Sequence, residues 1–219
     1  MYLPSHFEET RPEVLHQLVR NEPLGLLITT GADGPCADAI PFILDADPVT
    51  GKTTLRAHVA RANPLWREAR TDVPSLVVFQ GPQAYISPSM YPGKATNHKV
   101  VPTWNYVMVQ ARGTLRAIDD AAWLHAFVTR ITERHEAARP APWAVSDAPA
   151  DYIATMVRAI VGIEIELTSL IGKWKVSQNR PAADRDGVIA GLQDHAERTA
   201  DAQAAAMAAL VPSGSKEAA

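Results

Sequence analysis

The sequence predicts an α+β protein whose centre is a small antiparallel barrel or closed sheet. About six short apolar or alternating segments precede the first long amphipathic helix, which is typical of a β-rich core. Turn residues join these segments, so the pattern favours an antiparallel meander over β-α-β units. With 219 residues, 47% of them hydrophobic and 21% charged, the chain is long enough for one domain with a sizeable core.

The first third of the chain predicts a packing helix and then three strands. Thr10 caps a helix that ends before Pro23, because apolar residues recur there at helical spacing. Pro41 lies inside the second strand and marks a sheet edge or a bulge. A bulge would expose backbone amide and carbonyl groups, which sites for flat rings often require. The three strands are expected over residues 24–30, 37–44 and 53–59.

The middle of the chain predicts further strands and two helices. Gly81 and Pro82 are expected to separate two strands, and Gly113 to bend a longer one. Asp119 or Asp120 caps an amphipathic helix. The remaining strands are expected over residues 75–79, 83–87, 106–118 and 162–167, and a second helix over residues 151–160.

The C-terminal part differs in composition from the rest. After Pro181 the chain becomes polar and then alanine-rich, which predicts a helix with a thin apolar face. Residues 212–219 are expected to fray. We therefore expect a main domain over residues 1–180 and a helical extension over residues 181–219.

Composition excludes several classes of function. The net charge of −3 provides no general basic field for nucleic acid. The single cysteine, Cys36, excludes an internal disulfide and is interpreted as structural in a reducing cytosol. The first residues lack the pattern of a signal peptide, and no apolar stretch has the length of a membrane span. The sequence therefore predicts a cytoplasmic protein.

Residues 58–64 place charged and capping groups at the start of a helix. Asn63 is a good N-cap and Pro64 suits the first helical position. With His58 and Arg61 just before the cap, the backbone amides and the Arg fork form an arrangement that can hold a phosphate. The alternative is a spacing without function, since there is no glycine-rich phosphate loop.

Two further stretches concentrate cations and aromatic rings. Residues 91–106 carry Lys94, His98 and Lys99 and end in Trp104 and Tyr106, which suggests a surface for a planar anionic ligand. The alternative is that these two rings begin the next core strand. Residues 172–180 place two lysines on one side of a strand, where they repel each other unless an anion lies between them. A solvated cationic strand end is the alternative for this stretch.

Four stretches together resemble the PaiB-type family, the FMN-binding negative transcriptional regulators. They are MYLPSHF at Met1, HVARANP at His58, YPGKATNHKVVPTWNY at Tyr91 and GKWKVSQNR at Gly172. The resemblance runs from Met1 to about Leu192. Where the family has an acidic residue before the GKWK element, this sequence has Ile171.

The resemblance implies a homodimer of six-stranded antiparallel split barrels, with FMN at the subunit interface and a role as a repressor. No helix-turn-helix with base-reading side chains is recognisable, so DNA binding rests on the family alone. The residues expected to hold the phosphate are His58, Arg61 and Asn63, with Lys94, Lys173, Lys175 and Gln178 as further donors. Those expected at the isoalloxazine are Pro41 and Phe42 at its flanks and Thr103, Trp104 and Asn105 over it or at its polar edge.

Two alternatives to a flavin-dependent regulator or sensor remain at this point. The same site would serve a small oxidoreductase that uses NAD(P)H, because the flavin itself carries the hydride chemistry. Related split barrels also bind or degrade haem, with His58 or His98 as the iron ligand in this sequence. The alternating Glu164 and Glu166 are expected on the solvent face of a strand, which argues against a two-carboxylate catalytic site.

Overall fold

The computed structural model describes residues 1–214, apart from the side chain of Asn97. Strands and helices alternate irregularly along this part of the chain. The strands are β1 (Glu8–Glu9), β2 (Leu24–Gly31), β3 (Gly34–Pro41), β4 (Ile43–Ala46), β5 (Thr53–Ala60), β6 (Ser75–Ile86), β7 (Thr103–Ile118) and β8 (Ile160–Lys175). The helices are α1 (Pro12–Asn21), α2 (Leu65–Glu68), α3 (Lys94–Asn97), α4 (Ala121–Glu136), α5 (Ala150–Arg158), α6 (Ala182–Thr199) and α7 (Ala202–Leu210).

The predicted class, mainly β with helices on an antiparallel sheet, is confirmed, with eight strands instead of six. Along the sheet the strand order is β3-β2-β6-β7-β8-β5-β4, and β1 pairs with β8. Part of the difference in count arises at Phe42, where the chain leaves the ladder between β3 and β4. The Phe42 amide there donates to the carbonyl of Pro23 at 2.8 Å. The two-residue β1, which pairs with Lys173 and Gly172, is the other addition.

The described chain divides into two compact units. Unit 1 comprises Met1–Leu18, Gln80–Val109 and the chain from Ile171 onward, and unit 2 comprises Val19–Phe79 and Gln110–Leu170. The C-terminal helices α6 and α7 thus belong to the same unit as the N-terminal segment. The frayed tail predicted for residues 212–219 lies outside the described residues from position 215 on.

Unit 2 has a core built by strict alternation. On β5, Leu55, Ala57 and Val59 are buried, and they pair in register with the equally buried Val161, Ile163 and Ile165 of β8. On the other face of β5, His58 lies opposite Gly162. A Cβ at Gly162 would lie 2.4 Å from the Trp123 ring, so only glycine lets α4 pack this closely.

Unit 1 packs the ends of three strands against α6 and α7. Val188 and Leu192 of α6 and Met207 of α7 are among the buried residues of these helices, so the alanine-rich C-terminal part has an apolar contact. A Cβ at Gly187 would lie 2.3 Å from the carbonyl oxygen of Met90, so α6 also needs a glycine where it meets the chain after β6. Among the helices of residues 1–214, none is long and apolar enough to cross a bilayer.

One turn prediction was wrong. Gly81 and Pro82 do not separate two strands but lie inside the continuous β6. A Cβ at Gly81 would come within 2.6 Å of Leu18 and Val107, so this glycine permits close packing rather than a turn. Gly113 has the same role within β7, where a Cβ would lie 2.2 Å from the backbone oxygen of Glu166.

Candidate functional site

The end of β8 in unit 1 buries a lysine that has no acidic partner among the described residues. Lys173 is only 7% exposed, and its Nζ donates to the backbone oxygen of Tyr2 at 3.0 Å. The same ammonium lies 5.6 Å from the centroid of the Tyr2 ring and 5.4 Å from that of Tyr106. Such cation–π contacts stabilise a charge only modestly, so this ammonium remains open to a stronger anionic partner.

Lys175 follows two residues later and comes to the same tyrosine. Its Nζ donates to Thr103 Oγ1 at 2.5 Å and to the Trp104 carbonyl at 2.6 Å, and it lies 5.9 Å from the Tyr106 ring. Burial lowers the pKa of Lys175, and the positive charges of Lys173 and Arg180 lower it further. The like charges therefore do interact, as the sequence spacing predicts.

Arg180 adds a third cation. Its guanidinium lies 5.0 Å from the ring centroid of Tyr91, which is 2% exposed. Burial raises the pKa of Tyr91, and the charge of Arg180 opposes that rise. No carboxylate among the described residues forms an ion pair with Lys173, Lys175 or Arg180. We call these three residues the cationic cluster.

A locked turn fixes the position of the cationic cluster. Ser177 adopts a left-handed φ of 64°, and its Oγ accepts a hydrogen bond from Asn105 Nδ2 at 2.9 Å. Gln178 folds back on its own backbone, where its Oε1 accepts from the Val176 amide and its Nε2 donates to the Trp174 carbonyl. The polar groups of Asn105 and Gln178, predicted as cofactor donors, are thus directed at the protein itself.

An exposed pair of aromatic rings also belongs to this unit. Trp104 and Tyr85 are 53% and 50% exposed, and their ring centroids are 5.9 Å apart in an edge-on arrangement. Because β7 alternates, Trp104 and Tyr106 share a face of the strand while Asn105 is buried. We call Tyr85 and Trp104 the aromatic pair. Lys94, also predicted as a donor, is exposed in the short helix α3.

In unit 2, His58 is a partly buried imidazole. Its ring packs edge-on against Phe127 at 5.8 Å, and Phe127 in turn stacks on Trp123 at 5.3 Å. Burial lowers the pKa of His58, which favours the neutral form. Its Nδ1 is buried and finds no hydrogen-bond partner within residues 1–214.

The guanidinium of Arg61 donates its hydrogen bonds to acceptors within the protein. It forms a two-pronged ion pair with Asp119, at 2.8 and 2.6 Å, and it also donates to the backbone oxygens of Arg158 and Ile160 at 2.7 and 3.0 Å. The hydrogen bond to Asp119 raises the pKa of Arg61 and lowers that of the carboxyl group. Four of the five guanidinium donors are thereby used, which leaves little for a phosphate.

Asn63 caps α2 as predicted, since its Oδ1 accepts from the Leu65 amide at 2.9 Å. Its Nδ2 donates to Asp38 at 3.1 Å. A cavity of about 460 Å³ opens beside it. Among the described residues its lining includes the carboxylates of Asp38 and Glu68 and no lysine, arginine or histidine, which does not favour a phosphate. Its lining residues are Thr29, Gly31, Cys36, Asp38, Ala62, Asn63, Pro64, Leu65, Glu68 and Ala69.

The residues predicted to flank a flat ring differ in exposure. Phe42 is 1% exposed and packs edge-on against Phe79 at 5.9 Å, so it belongs to the core of unit 2. Pro41 is half-buried at the end of β3, opposite Leu24. The break in the sheet that Pro41 predicts is present directly after it, at Phe42.

Three members of the site in unit 1 are not among the residues that the sequence analysis expects to hold the cofactor. Arg180 stands in the same GKWKVSQNR stretch as the two lysines, and its charge was the available signal. Tyr106 ends the stretch of residues 91–106. Alternation with Asn105 places it on the same face of the strand as Trp104. The Tyr2 carbonyl had no sequence signal, because a backbone acceptor can belong to any residue.

The chain is similar to a family model and to proteins that match it over most of their length. A family model described as "Putative FMN-binding domain" matches residues 1–169. An uncharacterised protein of Aspergillus fumigatus is 36% identical over 238 residues, which cover 88% of this chain and 91% of the relative. The protease synthase and sporulation protein PAI 2 of Bacillus subtilis is 33% identical over 196 residues, with 89% and 90% covered.

Solved structures of the same fold are more distant in sequence. The flavocytochrome Anf3 from Azotobacter vinelandii has a TM-score of 0.55 at 12% identity, covering 77% of this chain and 69% of that one. The FAD and haem binding protein from Mycobacterium smegmatis has a TM-score of 0.54 at 17% identity, covering 77% and 73%. At such identities the likeness concerns the fold.

The side chains of unit 1 fit the chemistry of FMN. The cofactor carries a phosphate monoester, and the cationic cluster offers three positive charges without a carboxylate partner. It also carries a flat ring system, for which the exposed aromatic pair provides the kind of surface that such rings stack on. Donor type and charge therefore match in this unit.

Proposed function

Because the chain belongs to the PaiB-type family of FMN-binding proteins, we propose that it is a flavin-dependent regulator whose FMN phosphate is bound by the cationic cluster. The observation that carries this proposal is the burial of Lys173 without an acidic partner in the described part of the chain. A buried charge without a counter-charge is costly, and a phosphate next to Lys173 and Lys175 would relieve that cost.

Different residues of unit 1 bind the phosphate and the ring system of FMN. Lys175 and Arg180 supply charge-assisted hydrogen bonds to the phosphate, and the locked turn at Ser177 holds them in place. Trp104 covers the ring system and excludes water from it. Bound FMN supplies reversible electron transfer, which makes it a reporter of cellular redox state.

We propose further that the protein acts as a homodimer. The family resemblance implies a cofactor at a subunit interface, and the aromatic pair is an exposed apolar feature that a second subunit would cover. We place the protein in the cytoplasm, where the exposed Cys36 would stay reduced. We propose no direct base-reading element, since the chain has a net charge of −3.

The regulatory output is supported by the name of one relative, the protease synthase and sporulation protein PAI 2. An oxidoreductase that uses NAD(P)H is the second candidate, because flavin chemistry requires no further acid or base from the protein. Air-free mixing with NADH or NADPH separates the two. Bleaching of bound flavin on the timescale of seconds favours the oxidoreductase, and an unchanged flavin spectrum favours the regulator.

The visible spectrum of the purified protein tests the cofactor. We expect flavin absorption bands, or a saturable quenching of FMN fluorescence when FMN is added to the colourless protein. A Soret band would favour a haem site instead, a property that the names of both structural neighbours include. Protein that neither contains nor takes up FMN would contradict the proposal.

A further inference from the structure

The N-terminal arm, defined as residues 1–4, lies over the buried lysine of the cationic cluster. Tyr2 is 84% exposed, yet its carbonyl oxygen accepts the hydrogen bond from Lys173 Nζ at 3.0 Å. Its ring centroid is 5.6 Å from the same ammonium. The arm thus contacts the lysine on which the proposed function depends.

The arm lies outside the regular elements of unit 1. It belongs to no strand or helix, and the chain is fixed only after it. Phe7 is buried and its amide donates to the carbonyl of Pro4 at 2.9 Å, and the following strand β1 pairs with β8. Displacement of residues 1–3 would therefore break the Tyr2 contacts. It would leave the buried Phe7 and the pairing of β1 with β8 intact.

The contact between the arm and Lys173 is weaker than one with an anion. A neutral carbonyl and a ring face compensate a buried ammonium only in part, whereas a phosphate oxygen carries the opposite charge. The neighbouring positive charges of Lys175 and Arg180 attract a phosphate oxygen more strongly than a neutral carbonyl oxygen at this position.

We propose that the N-terminal arm is a displaceable latch on an anion site. In the closed state the Tyr2 carbonyl occupies the position on Lys173 that a phosphate oxygen takes, and binding of a phosphate-bearing ligand releases the arm. The latch rests on the proposed function in that the cationic cluster is the phosphate site. It makes anion affinity depend on the fraction of molecules in which the arm is open.

Inorganic pyrophosphate tests the latch independently of the flavin. Fluorine NMR spectra are recorded for full-length protein labelled with fluorotyrosine and for a shortened chain in which Met1 is followed directly by Pro4. The resonance that is missing from the shortened chain belongs to Tyr2. We expect pyrophosphate to shift the Tyr2 resonance towards that of a solvent-exposed fluorotyrosine. If the arm is closed about nine-tenths of the time, the shortened chain binds pyrophosphate about tenfold more tightly. Tyr152→Ala, at another exposed tyrosine, should leave the affinity unchanged.

Equal or weaker pyrophosphate binding by the shortened chain would overturn the latch, because the arm would then not compete for Lys173. Absence of pyrophosphate binding in both chains would overturn it as well. FMN binding is measured on the same samples. If pyrophosphate releases the arm while FMN does not bind, the proposed function fails and the latch stands.

Discussion

His58 is a partly buried imidazole that links the stability of unit 2 to pH. Burial lowers its pKa below the ordinary value of 6.5. As the pH falls through about 6.5, the unfolded chain therefore binds a proton that the folded chain does not, and stability decreases. At higher pH both states are neutral at this residue and the contribution is constant.

We expect His58→Phe to reduce this pH dependence. Denaturant unfolding at about pH 7.5 and about pH 5.5 should show a smaller loss of free energy of unfolding in the variant than in the natural protein. His125→Phe removes an exposed imidazole on α4 and is the matched control. The same pH dependence in natural protein and His58→Phe would contradict the role given to His58.

Tyr91 carries a buried hydroxyl group that forms no hydrogen bond of standard geometry in the described part of the chain, although the Arg180 side chain interacts with it. Removing an unsatisfied buried hydroxyl relieves a desolvation cost, so Tyr91→Phe should keep stability or raise it by about 1 kcal/mol. Denaturant unfolding measures this, with Tyr85→Phe at an exposed ring as the reference. A loss of more than about 1 kcal/mol would mean that the hydroxyl has a partner.

At this scale the sequence predicts residue types better than their partners. The charge repulsion between Lys173 and Lys175 follows from alternation, and it is present. The ion pair of Arg61 with Asp119 joins residues 58 positions apart, so no local pattern could have indicated it. Asn105 of β7 and Gln178 of the turn carry the polar groups of ligand donors, and in this structure those groups form hydrogen bonds within the protein.

Among the elements, β7 and β8 depend on a close backbone approach. A Cβ at Gly113 would lie 2.2 Å from the Glu166 backbone oxygen, and neither strand can yield without losing its ladder. We expect Gly113→Ala to lower the free energy of unfolding by about 1–3 kcal/mol, as overpacking does elsewhere. Gly31→Ala, where the nearest atoms are 3.9 Å away, should have a small effect in the same unfolding experiment. Equal effects of the two substitutions would contradict this interpretation.

The order of the elements was largely predictable, and their boundaries less so. The change from helical to strand periodicity after Pro23 correctly separates α1 from β2. Gly81 and Pro82 are strong turn signals, yet they lie inside β6, because close packing against Leu18 and Val107 also requires a glycine. Tertiary packing of this kind has no local signature in a single sequence.

For the whole molecule, we expect a dimer that the aromatic pair stabilises. Trp104→Ser should shift sedimentation velocity profiles towards the monomer, because it removes an exposed apolar ring from the proposed interface. Trp143→Ser is the matched control, since that ring is 46% exposed in the other unit. A natural protein that sediments as a monomer at all concentrations, with and without FMN, would contradict the dimer.

The most direct test of the phosphate assignment is a binding cycle that removes the phosphate and the lysine separately. FMN and riboflavin, which lacks the phosphate, are titrated into the natural protein and into Lys175→Gln, with Lys94→Gln as a control at an exposed lysine of the same unit. We expect Lys175→Gln to weaken FMN by about tenfold or more and to leave riboflavin nearly unchanged, a coupling of about 1.4 kcal/mol or more. Equal losses for both ligands, or no loss in Lys175→Gln, would contradict the binding of the phosphate by the cationic cluster.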